Sequence, residues 1–126
     1  MLVLDSGGVT RLAERSKQTL ALVLALRDAG LWPPCVPSVV LVACLRGDAE
    51  RDAVENRFLK TCDITRNIPE SLARRAGLLR GLARRGSAVD ALVVASAEPG
   101  GTVITTDPAD LEGLAAHAQD VNVVTA

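Results

Sequence analysis

Apolar and polar positions follow two periods along this chain. Leu2, Val3 and Leu4 form an uncharged run that ends on Asp5, and the run predicts a short strand over 2–5. From Val9 to Ala29 the spacing turns helical, in one or two segments, with Leu20, Val23 and Leu24 on the apolar side and Gly30 as the stop. Pro33, Pro34 and Pro37 in "LWPPCVP" exclude a helix there, and Val36 is left for a short strand. Ser38 is placed to cap a helix over "VVLVACLRG", apolar nearly all round and ended by Gly47. Asp48 would cap the next helix, which runs to about Lys60, and "CDIT" reads as a strand.

Leu72, Ala76, Leu79 and Ala83 then recur at intervals of four, three and four, one inward stripe on a helix over 71–85 that Gly86 ends. Ser87 or a neighbour caps a further helix, "AVDALVVASA", which stops at Pro99-Gly100-Gly101. "TVITT" is β-branched throughout and is the clearest strand. Asp107 follows it, with Pro108 at the first position of a helix, and "VNVVT" closes the chain as a strand. Strands alternating with helices predict an α/β fold, a central, mostly parallel sheet flanked by helices. No repeat or linker breaks the pattern, so residues 1–126 read as one domain.

Composition adds restrictions. A hydrophobic content of 48% and a mean hydropathy of +0.25 describe a globular chain, and the net charge of −1 carries no hint of a polyanionic partner. The distribution of charge does. Residues 66–85 hold six Arg against Glu70 alone, and residues 86–126 hold six acids and no Lys or Arg. Cys35, Cys44 and Cys62 lack metal-ligand spacing and His117 is the lone histidine, so no zinc site is expected. Free thiols, no signal-like leader and an apolar stretch (Thr19–Leu26) too short to span a bilayer predict a cytoplasmic protein without membrane contact. Trp32 and Phe58 are the only aromatics, too few for a base-stacking surface.

The candidate chemistry lies in the acids. Asp5 and Asp107 each end a predicted strand, the edge at which open α/β sheets bind ligands. Asp90 stands near the start of an otherwise apolar helix. Taken singly, Asp107 has an ordinary reading as a helix cap, and Asp90 and Asp110 as first-turn acids favoured by the helix dipole; nothing local requires Asp5. Together, converging carboxylates would repel one another unless a divalent cation held them, and an all-oxygen donor set suits Mg²⁺ or Mn²⁺. Such an ion activates water and stabilises a phosphoryl transition state.

The stretches "LVLDSGG", "VPSVVLVACLRG", "GSAVDALVVASA" and "TVITTDPADL", in this order, resemble the PIN domain, most closely the VapC toxins of bacterial toxin–antitoxin pairs. The resemblance spans essentially the whole chain and implies a PIN-like fold and an Mg²⁺- or Mn²⁺-dependent endoribonuclease. Its catalytic positions would be Asp5, Ala43, Asp90 and Asp107. Asp5 and Asp90 would hold the ion directly and Asp107 would join them or ligate its waters. Ser6, Thr105 and Thr106, with Asp110, would support these groups by hydrogen bonds.

Ala43 departs from the pattern, because the family carries an acid there, usually Glu. The fold tolerates Ala, the best helix former, but the chemistry loses one of four carboxylates, and an impaired enzyme is expected. Loss in a natural copy and deliberate replacement of a Glu both account for it; the otherwise intact motifs favour replacement. The resemblance also implies tRNA or rRNA as substrate, a homodimer, and a cognate VapB-like antitoxin that plugs the site. Arg74, Arg75, Arg80, Arg84 and Arg85 are candidates for RNA phosphates, with a solvated or ion-paired helix face as the other reading. The apolar segments 20–26 and 39–45 exceed what one small core needs, and a second copy or the antitoxin is expected to cover part of them.

The alternative from another class is a catalytically silent domain that binds RNA or antitoxin. An aspartyl-phosphate enzyme would want a second acid two residues after Asp5, where Gly7 stands. Neither a Walker loop nor GxGxxG is present.

Overall fold

A computed structural model describes residues 1–126. Its elements are β1 (Leu2–Leu4), α1 (Ser6–Ala13), α2 (Lys17–Asp28), β2 (Cys35–Pro37), α3 (Val40–Cys44), α4 (Ala53–Leu59), β3 (Asp63–Thr65), α5 (Glu70–Ala83), α6 (Ala88–Ala97), β4 (Thr102–Thr105), α7 (Pro108–Ala115) and β5 (Asn122–Thr125). The fold is α/β and PIN-like, a five-stranded sheet flanked by seven helices. Every strand pair is parallel, so the sheet is wholly rather than mostly so, in the order β3-β2-β1-β4-β5.

That order has a physical consequence. The chain builds outward from β1 to β3, then returns to lay β4 on the other side of β1. With right-handed crossovers, α1–α4 cover one face of the sheet and α5–α7 the other. Consistently, α1 packs on α2, α3 and α4, while α5, α6 and α7 pack on one another. The reversal leaves a crevice between the carboxyl ends of β1 and β4. Asp5 and Thr105–Asp107 stand there.

Leu2, Val3 and Leu4 are fully buried because the central strand has helices on both faces, which is why β1 reads as an unbroken apolar run. They join Val103 and Ile104 of β4, Val93 and Val94 of α6, Leu79 of α5 and Leu111 and Leu114 of α7 in one core. The edge strands β3 and β5 are largely exposed and carry Asp63, Thr65, Asn122 and Thr125. No helix is long and apolar enough to cross a membrane.

Several local expectations are settled or corrected. The helical stretch, left open between one and two segments, is two helices that begin at Ser6 rather than Val9 and divide at Ser16, whose hydroxyl accepts the Thr19 N–H at 3.1 Å and starts α2. Ser38 does not cap α3; its N–H donates to the Thr65 carbonyl, continuing the ladder beyond β2, and Val39 starts the helix instead. That helix covers five residues and leaves at an extended Leu45, well before Gly47. Asp48 ties a turn by accepting the N–H groups of Glu50 and Arg51, and Asp52 takes the position that begins α4. Val42 on α3 is 82% exposed, and Leu20, Leu24, Leu78 and Leu82 are also exposed.

Candidate functional site

The site begins where β1 ends. Asp5 leaves the strand in an extended conformation and caps α1: its Oδ1 accepts the Gly8 N–H at 2.7 Å. A local need for this acid therefore exists, contrary to the reading of the sequence. Its Oδ2 accepts the hydroxyl of Thr105, the last residue of β4, at 2.6 Å. The same Thr105 oxygen accepts the Asp107 N–H at 3.1 Å, so one buried hydroxyl joins the two strand ends. Burial pushes the Asp5 carboxyl above the ordinary carboxylate range, against the hydrogen bonds from Thr105 and Gly8, and the nearby Asp90 charge pushes it further.

The glycines after Asp5 permit this closeness. A Cβ on Gly8 would strike the Ile104 carbonyl oxygen, and one on Gly7 would strike the Thr106 hydroxyl. Only a bare backbone lets the start of α1 lie against the end of β4.

Asp90 arrives from the opposite face, in the first turn of α6. It forms a capping box with Ser87: Asp90 N–H donates to Ser87 Oγ at 3.0 Å and Ser87 N–H to Asp90 Oδ2 at 3.1 Å. Asp107 stands at the start of α7, yet its carboxylate makes no capping bond and is exposed. Asp5 and Asp107 thus exchange their expected roles, since Asp5 caps a helix and the Asp107 side chain does not, while Asp90 stands in the first turn of α6 as its ordinary reading has it. Asp5 and Asp90 are brought within electrostatic reach of each other; no three acids, with or without the cysteines and histidine, form a group close enough to cage a metal ion.

Near the carboxyl ends of β1 and β4 a polar cleft of about 370 Å³ is lined by Ser6, Thr10 and Arg11 of α1, Glu14 at its end, Ala43 of α3, Arg46 and Thr106. Ala43 is exposed there, and no acid of α3 faces the cleft. Asp48 is committed to its own turn. A larger groove of about 430 Å³ lies elsewhere, between α2, α4 and the segment carrying Trp32, and is mainly apolar. Arg27 sits over the Trp32 ring at 5.1 Å.

The arginines of α5 meet the acidic stretch that follows them. Arg75 grips Glu98 with two bonds of 2.8 and 2.7 Å, and Glu98 also accepts the Gln119 N–H at 2.7 Å. Arg85 pairs with Asp110 at 3.0 Å, which places Asp110 with α5 rather than with the other acids. Arg74 pairs with Glu70 at 2.8 Å, and Arg80 donates to the Gly86 carbonyl at 3.1 Å. Arg84, in the left-handed region at φ 54°, makes no ion pair. Arg11 and Arg46 went unremarked in the sequence. The position of Arg46, three residues beyond Ala43 and just before a glycine that ends the segment, was the available signal.

No protein-family model matches the chain, and no curated protein does. Solved structures do. FitAcB from Neisseria gonorrhoeae contains a chain 16% identical, matched over 98% of this chain and 96% of its own, at a TM-score of 0.65. VapBC2 from Rickettsia felis, bound to a DNA fragment from its promoter, contains one 11% identical over 100% and 99%, at 0.68. FitAB bound to an IR36 DNA fragment contains one 18% identical over 99% and 94%, at 0.65. They share this fold.

Membership of the VapC toxins, expected from the motifs, is corrected by this comparison. Fit and Vap complexes match alike, each complex has two components whose names do not say which one the matched chain is, and identities of 11–18% carry the fold alone.

The acids present suit a loosely held, water-rich divalent ion better than a protein cage. Asp5 and Asp90 are two uncompensated carboxylates near each other, and each oxygen engaged by a single hydrogen bond keeps a further lone pair. Mg²⁺ commonly takes one or two carboxylates and fills its remaining positions with water and phosphate.

Proposed function

We propose that this chain is the RNA-cleaving member of a toxin–antitoxin pair, a metal-dependent endoribonuclease impaired by Ala43. The observation behind the reading is Asp5 at the β1/β4 crevice, joined through Thr105 to the Asp107 backbone and within electrostatic reach of Asp90. The toxin–antitoxin setting is supported by the Fit and Vap complexes that share the fold over nearly the whole chain. Asp5 and Asp90 would hold Mg²⁺ or Mn²⁺, with Asp107 as a ligand or as a partner of its waters. When bound, the ion supplies an activated water and charge stabilisation for in-line attack on a phosphodiester.

The chain's own groups then have distinct tasks. Thr105 keeps Asp5 oriented by its hydrogen bond and fixes the Asp107 backbone. Ser6 and Thr106, at the mouth of the cleft, offer hydroxyls to the substrate phosphate or to water. A Glu at position 43 would add a carboxylate on the α3 side of the cleft, where none now stands. The partners in this proposal are tRNA or rRNA, a cognate antitoxin, and a second copy covering exposed apolar residues such as Val42 and Leu78.

Incubation of labelled tRNA and rRNA fragments with the protein and with Ala43→Glu, in Mn²⁺ and in EDTA, tests the proposal. Weak or no cleavage by the protein and clear Mn²⁺-dependent cleavage by Ala43→Glu are expected. Inert protein and inert variant would reject the enzyme. The silent-binding alternative would then account for Ala43 and predicts RNA or antitoxin binding without turnover.

A further inference from the structure

We infer that Arg46, assisted by Arg11, holds a phosphate of the RNA backbone in the polar cleft near the carboxyl ends of β1 and β4; this rests on the nuclease reading and names the residues that seat its substrate. The chain makes four ion pairs: Arg11–Glu14, Arg74–Glu70, Arg75–Glu98 and Arg85–Asp110. Two of them absorb arginines of α5, and a third takes Arg85 just beyond its end. Arg46 is in none, and it lines the polar cleft together with Arg11, Ser6, Thr10 and Thr106. A guanidinium in no ion pair, beside three hydroxyls and with Glu14 already engaged by Arg11, suits a phosphate, because the hydroxyls add neutral donors to further phosphate oxygens.

The loop that carries Arg46 is fixed before any ligand arrives. The Asp52 carboxylate accepts the N–H groups of Arg46 at 2.9 and 3.1 Å, Gly47 at 2.9 Å and Asp48 at 3.2 Å. These bonds, with a smaller contribution from the Arg46 charge, hold Asp52 below the ordinary carboxylate range and anchor the turn between α3 and α4. The backbone at Arg46 therefore loses little freedom on binding, and only its side chain must be ordered. Arg11 is half-buried on α1 and pairs with Glu14 at 3.2 Å over exposed side chains, a weak contact that a phosphate can replace.

Fluorescence anisotropy of an end-labelled, mixed-sequence single-stranded RNA in EDTA, across a salt series, separates binding from cleavage. Arg46→Ala is expected to weaken binding roughly five- to tenfold at about 0.1 M salt and to lower the salt slope by about 0.7, one phosphate contact. Arg46→Lys should recover most of the affinity, and Arg11→Ala should lose less than Arg46→Ala. Lys60→Ala, an exposed cation at the end of α4 and outside the cleft lining, should leave both quantities unchanged. Affinity of Arg46→Ala within twofold of the parent, or an equal loss in Lys60→Ala, overturns the inference while leaving Mn²⁺-dependent cleavage by Ala43→Glu intact. A parent that binds no RNA overturns both. Unchanged circular dichroism melting of Arg46→Ala is the check on folding, and Arg46→Lys keeps the test decisive if that variant melts early.

Discussion

The Thr105 hydroxyl donates to Asp5 Oδ2 across 2.6 Å, a contact between residues one hundred positions apart that closes the β1/β4 crevice. Asp5 is 9% exposed and Thr105 fully buried, so water is a poor substitute for either partner. Thr105→Val should cost about 1–3 kcal/mol by leaving a buried carboxylate oxygen without its donor, and Thr105→Ser much less. Urea denaturation of the three proteins checks it; equal stability of the Val variant would mean that the bond has no structural weight.

Two glycines of unlike setting should respond with opposite sign. A Cβ at Gly8 meets a backbone carbonyl, which cannot rotate away, whereas Gly77 on α5 has open space around it. Gly8→Ala should therefore destabilise by more than about 1 kcal/mol, and Gly77→Ala should stabilise by roughly 0.4–1 kcal/mol. Thermal melts of both variants give the comparison, and a destabilised Gly77→Ala or a neutral Gly8→Ala would contradict it.

The Arg75–Glu98 pair predicts a pH dependence. The Arg75 guanidinium, with help from the Gln119 N–H, holds the Glu98 carboxyl below the ordinary glutamate range. A carboxylate depressed in the fold contributes stability above its unfolded value and loses it as pH falls through the folded one. Glu98→Gln should lower the melting midpoint by roughly 5 °C at pH 7, and the difference should shrink as pH drops below 4.5 and vanish below the depressed value. A difference independent of pH would show that the charge is not what matters.

Much of the fold was legible in the residues. β1 and β4 announced themselves because central parallel strands are buried on both faces and are built from Leu, Val, Ile and Thr. Helix ends governed by Ser87 and Pro108 were legible for the same local reason. What went astray was decided by distant partners. Ser38 looks like a cap, but its N–H is taken by Thr65, 27 positions on, so the strand ladder outlasts β2. Asp48 and Asp52 exchange roles because four N–H···O contacts from three residues converge on Asp52.

The site was legible in part. Asp5 and Asp107 were placed by the rule that ligands gather at the carboxyl ends of parallel strands, and the switch point between β1 and β4 lies there. The cap that Asp5 forms through Gly8, three residues on, was local and legible in "LDSGG", but placing the helix start at Val9 concealed it; the first-turn place of Asp90 was legible. The pairing of Arg75 with Glu98 and Arg85 with Asp110 depends instead on how α5 packs against α6 and α7. An imbalance of +5 in one segment and −6 in the next, six Arg less Glu70 and then six acids, is partly settled within the molecule itself.

Calorimetric titration of Mn²⁺ into Ala43→Glu, alone and combined with Asp5→Asn, tests the central claim most directly. The account predicts saturable binding of one ion by Ala43→Glu, weaker binding by the parent, and loss of binding with Asp5→Asn while the double variant stays folded. No saturable heat from Ala43→Glu, or binding that Asp5→Asn leaves untouched, would contradict it.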